Sequence, residues 1–268
     1  MRFPKKVYKY RDWENGRHKN VLLYNELYLA SPKDFNDPFD CRIPPNFINL
    51  SETEKNDYIT KLAISQFDDV QKEGSDMAKV IKDLETRLKD TERFQQLAEN
   101  LTFTEQDKYY GILSLSLRWN SILLWSHYSN SHKGFCVGFW TKKLLETGLF
   151  GGVIKVDYST NFPNIKPDVR RSKEETAQKL ITQTGVKSKD WTYEKEFRFL
   201  KHFFPDIPKP FERIINVSND IISEVILGIN ISDTNKEEII EICRLKNIPV
   251  YLAKKKPFKF EIDRELIK

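Results

Sequence analysis

Two glutamates one residue apart, Glu194 and Glu196, lie in Trp191-Thr-Tyr-Glu-Lys-Glu-Phe-Arg-Phe-Leu200, a segment whose aromatic spacing predicts a strand. Along a period-two strand, Glu194, Glu196 and Arg198 line one side. Trp191, Tyr193, Phe197 and Phe199 line the other, with Lys195 among them. Carboxylates held roughly 7 Å apart on one face repel unless a cation, a proton or a polar ligand offsets the charge. Arg198 is one local answer, so the pair is either a site or a solvated, self-neutralising edge. A divalent ion is another answer, and Glu194, Glu196 and Asp40 around such an ion would make a metal-dependent nuclease.

Two further polar strand faces precede this one. Val7-Tyr-Lys-Tyr-Arg11 reads as a basic strand ending on Arg11, and Tyr110-Gly-Ile-Leu-Ser-Leu-Ser-Leu117 as a strand with Ser114 and Ser116 on one face. Taken singly, a strand-end arginine is a surface cation and a Ser-x-Ser face is merely polar. Three such faces in chain order are what suggest a shared site.

Trp125-Ser-His-Tyr-Ser-Asn-Ser-His-Lys-Gly-Phe135 is the other dense segment, with His127 near a helix end and His132 in the turn before a buried strand. A helix C-terminus favours a protonated imidazole, so His127 fits a dipole contact. Five residues across a turn is not the i, i+4 spacing of a helical zinc pair, and no third ligand is evident, so no metal site is expected. Asn36-Asp-Pro-Phe-Asp40 predicts an Asx-stabilised turn, with catalysis by Asp37 or Asp40 the lesser reading.

The elements that must position these groups follow from pattern. Glu26–Ala30 reads as a short strand, and Ser51 to about Glu105 as two or three helices opened by the capping box Ser51-Glu-Thr-Glu54. Asn120 or Ser121 caps a short helix through Tyr128, and Gly134–Trp140 reads as a buried strand. Val153–Tyr158 is a strand and Arg171–Thr184 a helix. The chain then runs strand (Glu224–Gly228), helix (Thr234–Lys246), strand (Pro249–Ala253) and strand (Phe258–Ile262). The expected fold class is α+β: a mostly antiparallel, split β-sandwich-like sheet core with a helical insertion and peripheral helices. No linker forces a division, so residues 1–268 read as a single domain with the insertion at about 51–105.

Composition bounds the function. At 39% hydrophobic and 13% aromatic, 268 residues can bury a sizeable core. Aromatic content of 18 Phe, 11 Tyr and 5 Trp against 10 Gly favours strands over glycine-loop nucleotide folds, and neither GxGxxG nor GxxxxGK[ST] occurs. Cys41, Cys136 and Cys243 are odd in number and far apart, which supports neither a disulfide framework nor a zinc knuckle. With no apolar stretch near ~20 residues and no signal-like N-terminus, a cytoplasmic protein without membrane contact is expected. The net charge of +5 sets 44 basic against 39 acidic residues, a weak pointer to nucleic acid.

Over nearly its full length the sequence resembles a bacterial family of uncharacterised proteins. The shared marks are Lys-Tyr-Arg, Phe-Asn-Asp-Pro-Phe-Asp, Ser-Leu-Ser, Trp-x-His-Tyr-x-x-x-His-x-Gly-Phe and Trp-x-Tyr-Glu-x-Glu-Phe-Arg. The order Arg, Ser-x-Ser, Glu-x-Glu also resembles that of mono-ADP-ribosyltransferases, whose fold is a split antiparallel β-sandwich around an NAD cleft. Leu115 stands where that family commonly has Thr, and the helical insertion is a second departure.

That second resemblance implies NAD as substrate. Arg11 would bind its phosphate or ribose, Ser114 and Ser116 would order the cleft, Glu194 would address the acceptor, and Glu196 would be the catalytic carboxylate. Tyr128 would stack on nicotinamide and His132 would touch ribose or acceptor, while alternation puts Tyr193 on the wrong side of its strand. Loss of nicotinamide passes through an oxocarbenium-like centre that a carboxylate stabilises, and a guanidinium fork suits a pyrophosphate. The acceptor would be nucleic acid or protein, as for a toxin or phage-defence effector with an antitoxin or regulatory partner. A non-catalytic module that binds a ligand or partner is the reading from outside enzymology.

Overall fold

The computed structural model describes residues 3–66, 76–169 and 172–267. Eight strands form its main sheet: β1 (Lys6–Arg11), β2 (Tyr110–Ser116), β3 (Phe135–Trp140), β4 (Gly152–Lys155), β5 (Glu196–His202), β6 (Ile222–Leu227), β7 (Val250–Lys255) and β8 (Ile262–Leu266). The α-helices are α1 (Gly16–Leu23), α2 (Glu52–Ser65), α3 (Met77–Lys89), α4 (Thr91–Tyr109), α5 (Ile122–Tyr128), α6 (Thr141–Glu146), α7 (Lys173–Gly185) and α8 (Asp233–Leu245). The fold is therefore α+β, as expected. Among the described residues no helix is long and apolar enough to cross a membrane.

The chain divides into two compact units. The first comprises Met1–Asp34, Tyr109–Tyr158 and Lys189–Lys268 and carries the whole sheet, in the order β8-β7-β6-β3-β1-β2-β5-β4. Neighbours are antiparallel except β6 and β7, which run parallel. Its middle strands are buried on both faces: Phe135–Phe139 and all of Ile222–Leu227 are out of solvent. On one face Val7, Leu113, Leu115, Phe139, Phe197 and Phe199 pack with Val21 and Leu22 of α1 and Ile239 and Cys243 of α8. On the other, Tyr8, Tyr10, Cys136 and Ile226 pack with Leu124 and Trp125 of α5. Each fully buried phenylalanine contributes about 1.5–3 kcal/mol relative to exposure.

The second unit, Phe35–Lys108 with Ser159–Ser188, contains α2, α3, most of α4, and α7. The helical insertion is thus one part of a larger body that also draws on the chain either side of it. Ile59 and Ala63 of α2 pack on Leu84 and Leu88 of α3, with Phe94 joining from α4. The Ser51 capping box forms as its sequence predicts, and so does the Asx turn, in which the Phe39 amide donates to Asp37 Oδ1 at 2.9 Å. Buried Asp40 pairs with buried Lys187 at 3.0 Å.

Four expectations need correction. Lys189–Glu194 is a 3₁₀ turn and β5 begins only at Glu196. The strand expected over Val153–Tyr158 is interrupted at Val156, whose amide donates to the Glu196 carbonyl after β4 has ended. Phe258 and Phe260 lie in the β7–β8 turn, not in a strand, and β8 starts at Ile262. The helix expected from Arg171 is capped by Ser172, while Arg171 itself, like residues 67–75 of the helical stretch, lies outside the described residues.

Candidate functional site

The three strands singled out by their polar residues are neighbours. β1, β2 and β5 lie side by side in the sheet, so the strands that carry residues 11, 114–116 and 196 are neighbours although distant in the chain. β2 and β5 pair along their whole length, with Ser116 opposite Glu196 and Ser114 opposite Arg198. β1 and β2 pair at one position only, Tyr8 opposite Ser116.

Continued in register, Tyr10 would face Ser114 and Asp12 would face Ile112. The strands part instead. Ala30 takes both main-chain hydrogen bonds of Ile112, each 2.9 Å, and the Lys9 ammonium donates to the Ser114 carbonyl at 2.7 Å. A side chain thus fills the place of a strand, satisfying a carbonyl that the parting leaves without its ladder partner.

Lys9 is the centre of this arrangement, and sequence reasoning passed it over in favour of Arg11. The signal was available, because alternation along β1 sets Lys9 on the same face as Arg11, between two tyrosines that face the other way. Burial depresses Lys9 to about 7; the neighbouring Arg11 guanidinium pushes the same way, while Glu196 and Glu194 oppose it. Burial also lowers Arg11, to about 10, which leaves it charged at neutral pH. His18 of α1 is brought down to about 4 by burial and by Arg11. The imidazole at that point is neutral, and its Nδ1 accepts the Asp12 amide at 3.4 Å.

Both glutamates are buried, at 5% and 6% exposure, which removes the solvated-edge reading of them. They are held differently because Lys195 between them adopts a left-handed backbone, φ 46°. That residue breaks the strand alternation on which a common face depends. Glu196 accepts a bidentate pair from Arg198, Nε at 2.9 Å and Nη2 at 2.8 Å, and the guanidinium is wholly buried. Glu194 accepts from the Tyr128 hydroxyl at 2.7 Å. Ser116 fastens the turn: its hydroxyl donates to the Glu194 carbonyl at 2.6 Å and accepts the Arg118 amide at 3.0 Å. The hydroxyl of Tyr158 accepts the Glu196 amide at 2.8 Å. Ser114 contributes its carbonyl to Lys9 rather than a hydroxyl to any of these groups.

The same break relocates the aromatics. Tyr193 belongs with Tyr10, Trp125 and Tyr128, not with Phe197 and Phe199, so it shares a neighbourhood with Tyr128. His127 lies near both, with ring centroids 6.3 Å from Tyr128 and 6.1 Å from Tyr193. His132 sits elsewhere. Its ring stacks on Trp125 and its Nε2 lies 3.2 Å from Ser126 Oγ, which ties the turn after α5 to that helix.

Among the described residues no three His, Cys, Asp or Glu side chains are grouped so as to hold an ion. The carboxylates considered for a divalent metal have protein donors of their own: Glu196 has Arg198, Glu194 has Tyr128, and Asp40 has Lys187.

Residues 124–199 match a family model described as "Protein of unknown function (DUF2971)". The matched stretch runs from α5 into β5 and includes Tyr128, His132, Glu194, Glu196 and Arg198. It leaves out Lys9, Arg11 and the Ser-x-Ser strand. No curated protein and no solved structure matches the chain.

Proposed function

We propose that the β1–β2–β5 centre binds NAD and transfers ADP-ribose from it, or hydrolyses it. The observation that carries this reading is the adjacency of the arginine, Ser-x-Ser and glutamate strands, with charged groups from β1 and β5 gathered where β1 and β2 part. Lys9 and Arg11 supply cations for a pyrophosphate: the guanidinium as a planar fork, the ammonium as a point charge.

Glu196 is the carboxylate placed to stabilise an oxocarbenium-like ribose, its orientation fixed by the two hydrogen bonds from Arg198. Glu194, on its own turn and held by Tyr128, is the carboxylate assigned to the acceptor. Nicotinamide leaves as a neutral molecule, so no proton donor is required. Tyr128 and Tyr193 offer faces against which a flat ring can stack.

The test is incubation of the purified protein with NAD, with nucleic-acid and protein acceptors supplied, following nicotinamide release for the wild type and Glu196→Gln. A loss of about 100-fold or more on substitution fits charge stabilisation in the transition state. Absence of both NAD binding and NAD loss at high protein concentration removes the proposal. NAD binding without turnover, unchanged by Glu196→Gln, would instead favour a ligand-binding module.

A further inference from the structure

From the end of β7 through the turn toward β8 the chain reads Lys254-Lys-Lys-Pro-Phe-Lys-Phe260, and both phenylalanines of the turn stand in solvent. Phe258 is 108% and Phe260 is 99% exposed, beyond any other large apolar side chain among the described residues. A folded protein hides phenylalanine where it can, so two bare rings at one turn call for a partner. Phe258 moreover holds a left-handed backbone, φ 57°, which a bulky aromatic rarely adopts and which costs on the order of 1–3 kcal/mol.

Charge at the tip is uneven. Lys254 pairs with Glu265, Lys256 with Glu261, and Arg264 with Glu224. Among the described residues Lys255 and Lys259 have no ion pair, and Lys255 lies near enough to His132 to lower its basicity, after the larger effect of burial. The exposed Lys133 follows His132 in the chain and extends the basic surface.

We propose that this hairpin tip docks single-stranded nucleic acid, with Phe258 and Phe260 stacking on bases and Lys255 and Lys259 meeting phosphates. Aromatic faces interleaved with lysines are what a sequence-tolerant single-strand binder needs. Residues two apart span at most about 7 Å of chain, which matches two base steps of about 3.4 Å. A lipid surface fits less well, because the two rings are separated by an ammonium and followed at once by Glu261 and Asp263. The inference does not depend on the NAD reading; where both hold, nucleic acid is the acceptor.

The experiment titrates the full chain, without NAD, into fluorescently labelled single-stranded DNA and RNA 20-mers and a duplex, following anisotropy at several salt concentrations. A parallel titration uses phosphatidylserine-containing vesicles. Phe258→Ala/Phe260→Ala should weaken single-strand binding at least 10-fold. Lys255→Ala/Lys259→Ala should lower the slope of log affinity against log salt by about 1.4, or 0.7 per phosphate contact. All four side chains are at the surface, so circular dichroism should report unchanged folds. The proposal is overturned by no single-strand binding at low salt, by binding indifferent to the phenylalanines, by preference for duplex, or by a phenylalanine-dependent affinity for vesicles alone.

Discussion

The Lys9 ammonium and the Ser114 carbonyl, 2.7 Å apart, join two strands that have stopped pairing. The bond lies where β1 leaves β2, and burial there holds Lys9 near 7, far below the ordinary lysine value. Structure and electrostatics meet at one side chain, and its titration can be read in the folding equilibrium.

In the unfolded chain Lys9 keeps its ordinary value of 10.5, whereas in the fold it titrates near 7. Between those limits the unfolded state binds a proton that the folded state lacks, so this residue's contribution to stability rises with pH across that window. Below pH 7 its cost is fully present. Urea denaturation of the wild type and Lys9→Met at pH 6, 7.5 and 9 should show the wild type gaining on the variant as pH rises. A pH-independent difference would mean that Lys9 is not depressed.

Removing one partner of the buried Glu196–Arg198 pair breaks both of the hydrogen bonds between them. Glu196→Ala and Arg198→Met should each lose about 3–5 kcal/mol of stability, and the double variant should recover part of that loss. Chemical denaturation of the four proteins completes the cycle. Additive losses would contradict the coupling seen in the geometry.

Tyr128→Phe removes the hydroxyl that donates to buried Glu194. A cost of about 1–3 kcal/mol is expected for the loss of one donor to a buried carboxylate. A melting temperature equal to that of the wild type would argue that Glu194 is satisfied without it.

Two glycines allow close backbone crossings. A Cβ on Gly134 would fall 2.1 Å from the Arg11 carbonyl oxygen, and one on Gly228 would fall 2.1 Å from that of His132. Gly134→Ala should therefore displace the end of β1 and cost about 3 kcal/mol or more, by the overpacking and strain that produce large single-site losses. Gly16→Ala, at the start of α1 with nothing within 4 Å, is the control and should be neutral or slightly stabilising. Thermal melts of the two variants beside the wild type decide the matter.

Cys41, Cys136 and Cys243 are all buried and free, and burial raises the thiols of Cys136 and Cys243. A disulfide reagent should titrate three thiols in denaturant and none promptly in native buffer. Rapid native labelling of Cys136 would contradict its place in the sheet.

Much of the fold was legible because it rests on local pattern. The apolar run of β3 announced a strand covered on both faces, and Ser51 with Glu54, Ser121, and Asp37 with Pro38 announced their caps and turn. The Glu-x-Glu segment was misread for a physical reason. Its residue types suit a strand throughout, and nothing in their period reveals that Lys195 turns left-handed. The turn is imposed from outside, by Ser116 on one carbonyl and the Leu117 amide on the next.

The candidate site was legible by composition but not by assignment. That arginine, serine and glutamate strands converge could be guessed from their order, whereas which of two neighbouring cations fills the opening depends on where β1 departs from β2. Such divergence is a long-range property of register, and Ala30, which replaces the departing strand opposite Ile112, carries no sequence mark of that task.

A sheet is ordinarily most rigid along its midline and frays at its rims. With one residue pair joining β1 to β2, this one has its thinnest lacing near the middle, between five strands on one side and three on the other. Deuterium should enter that seam ahead of the rows flanking it, and any molecule able to prise the sheet apart would find its purchase at the centre.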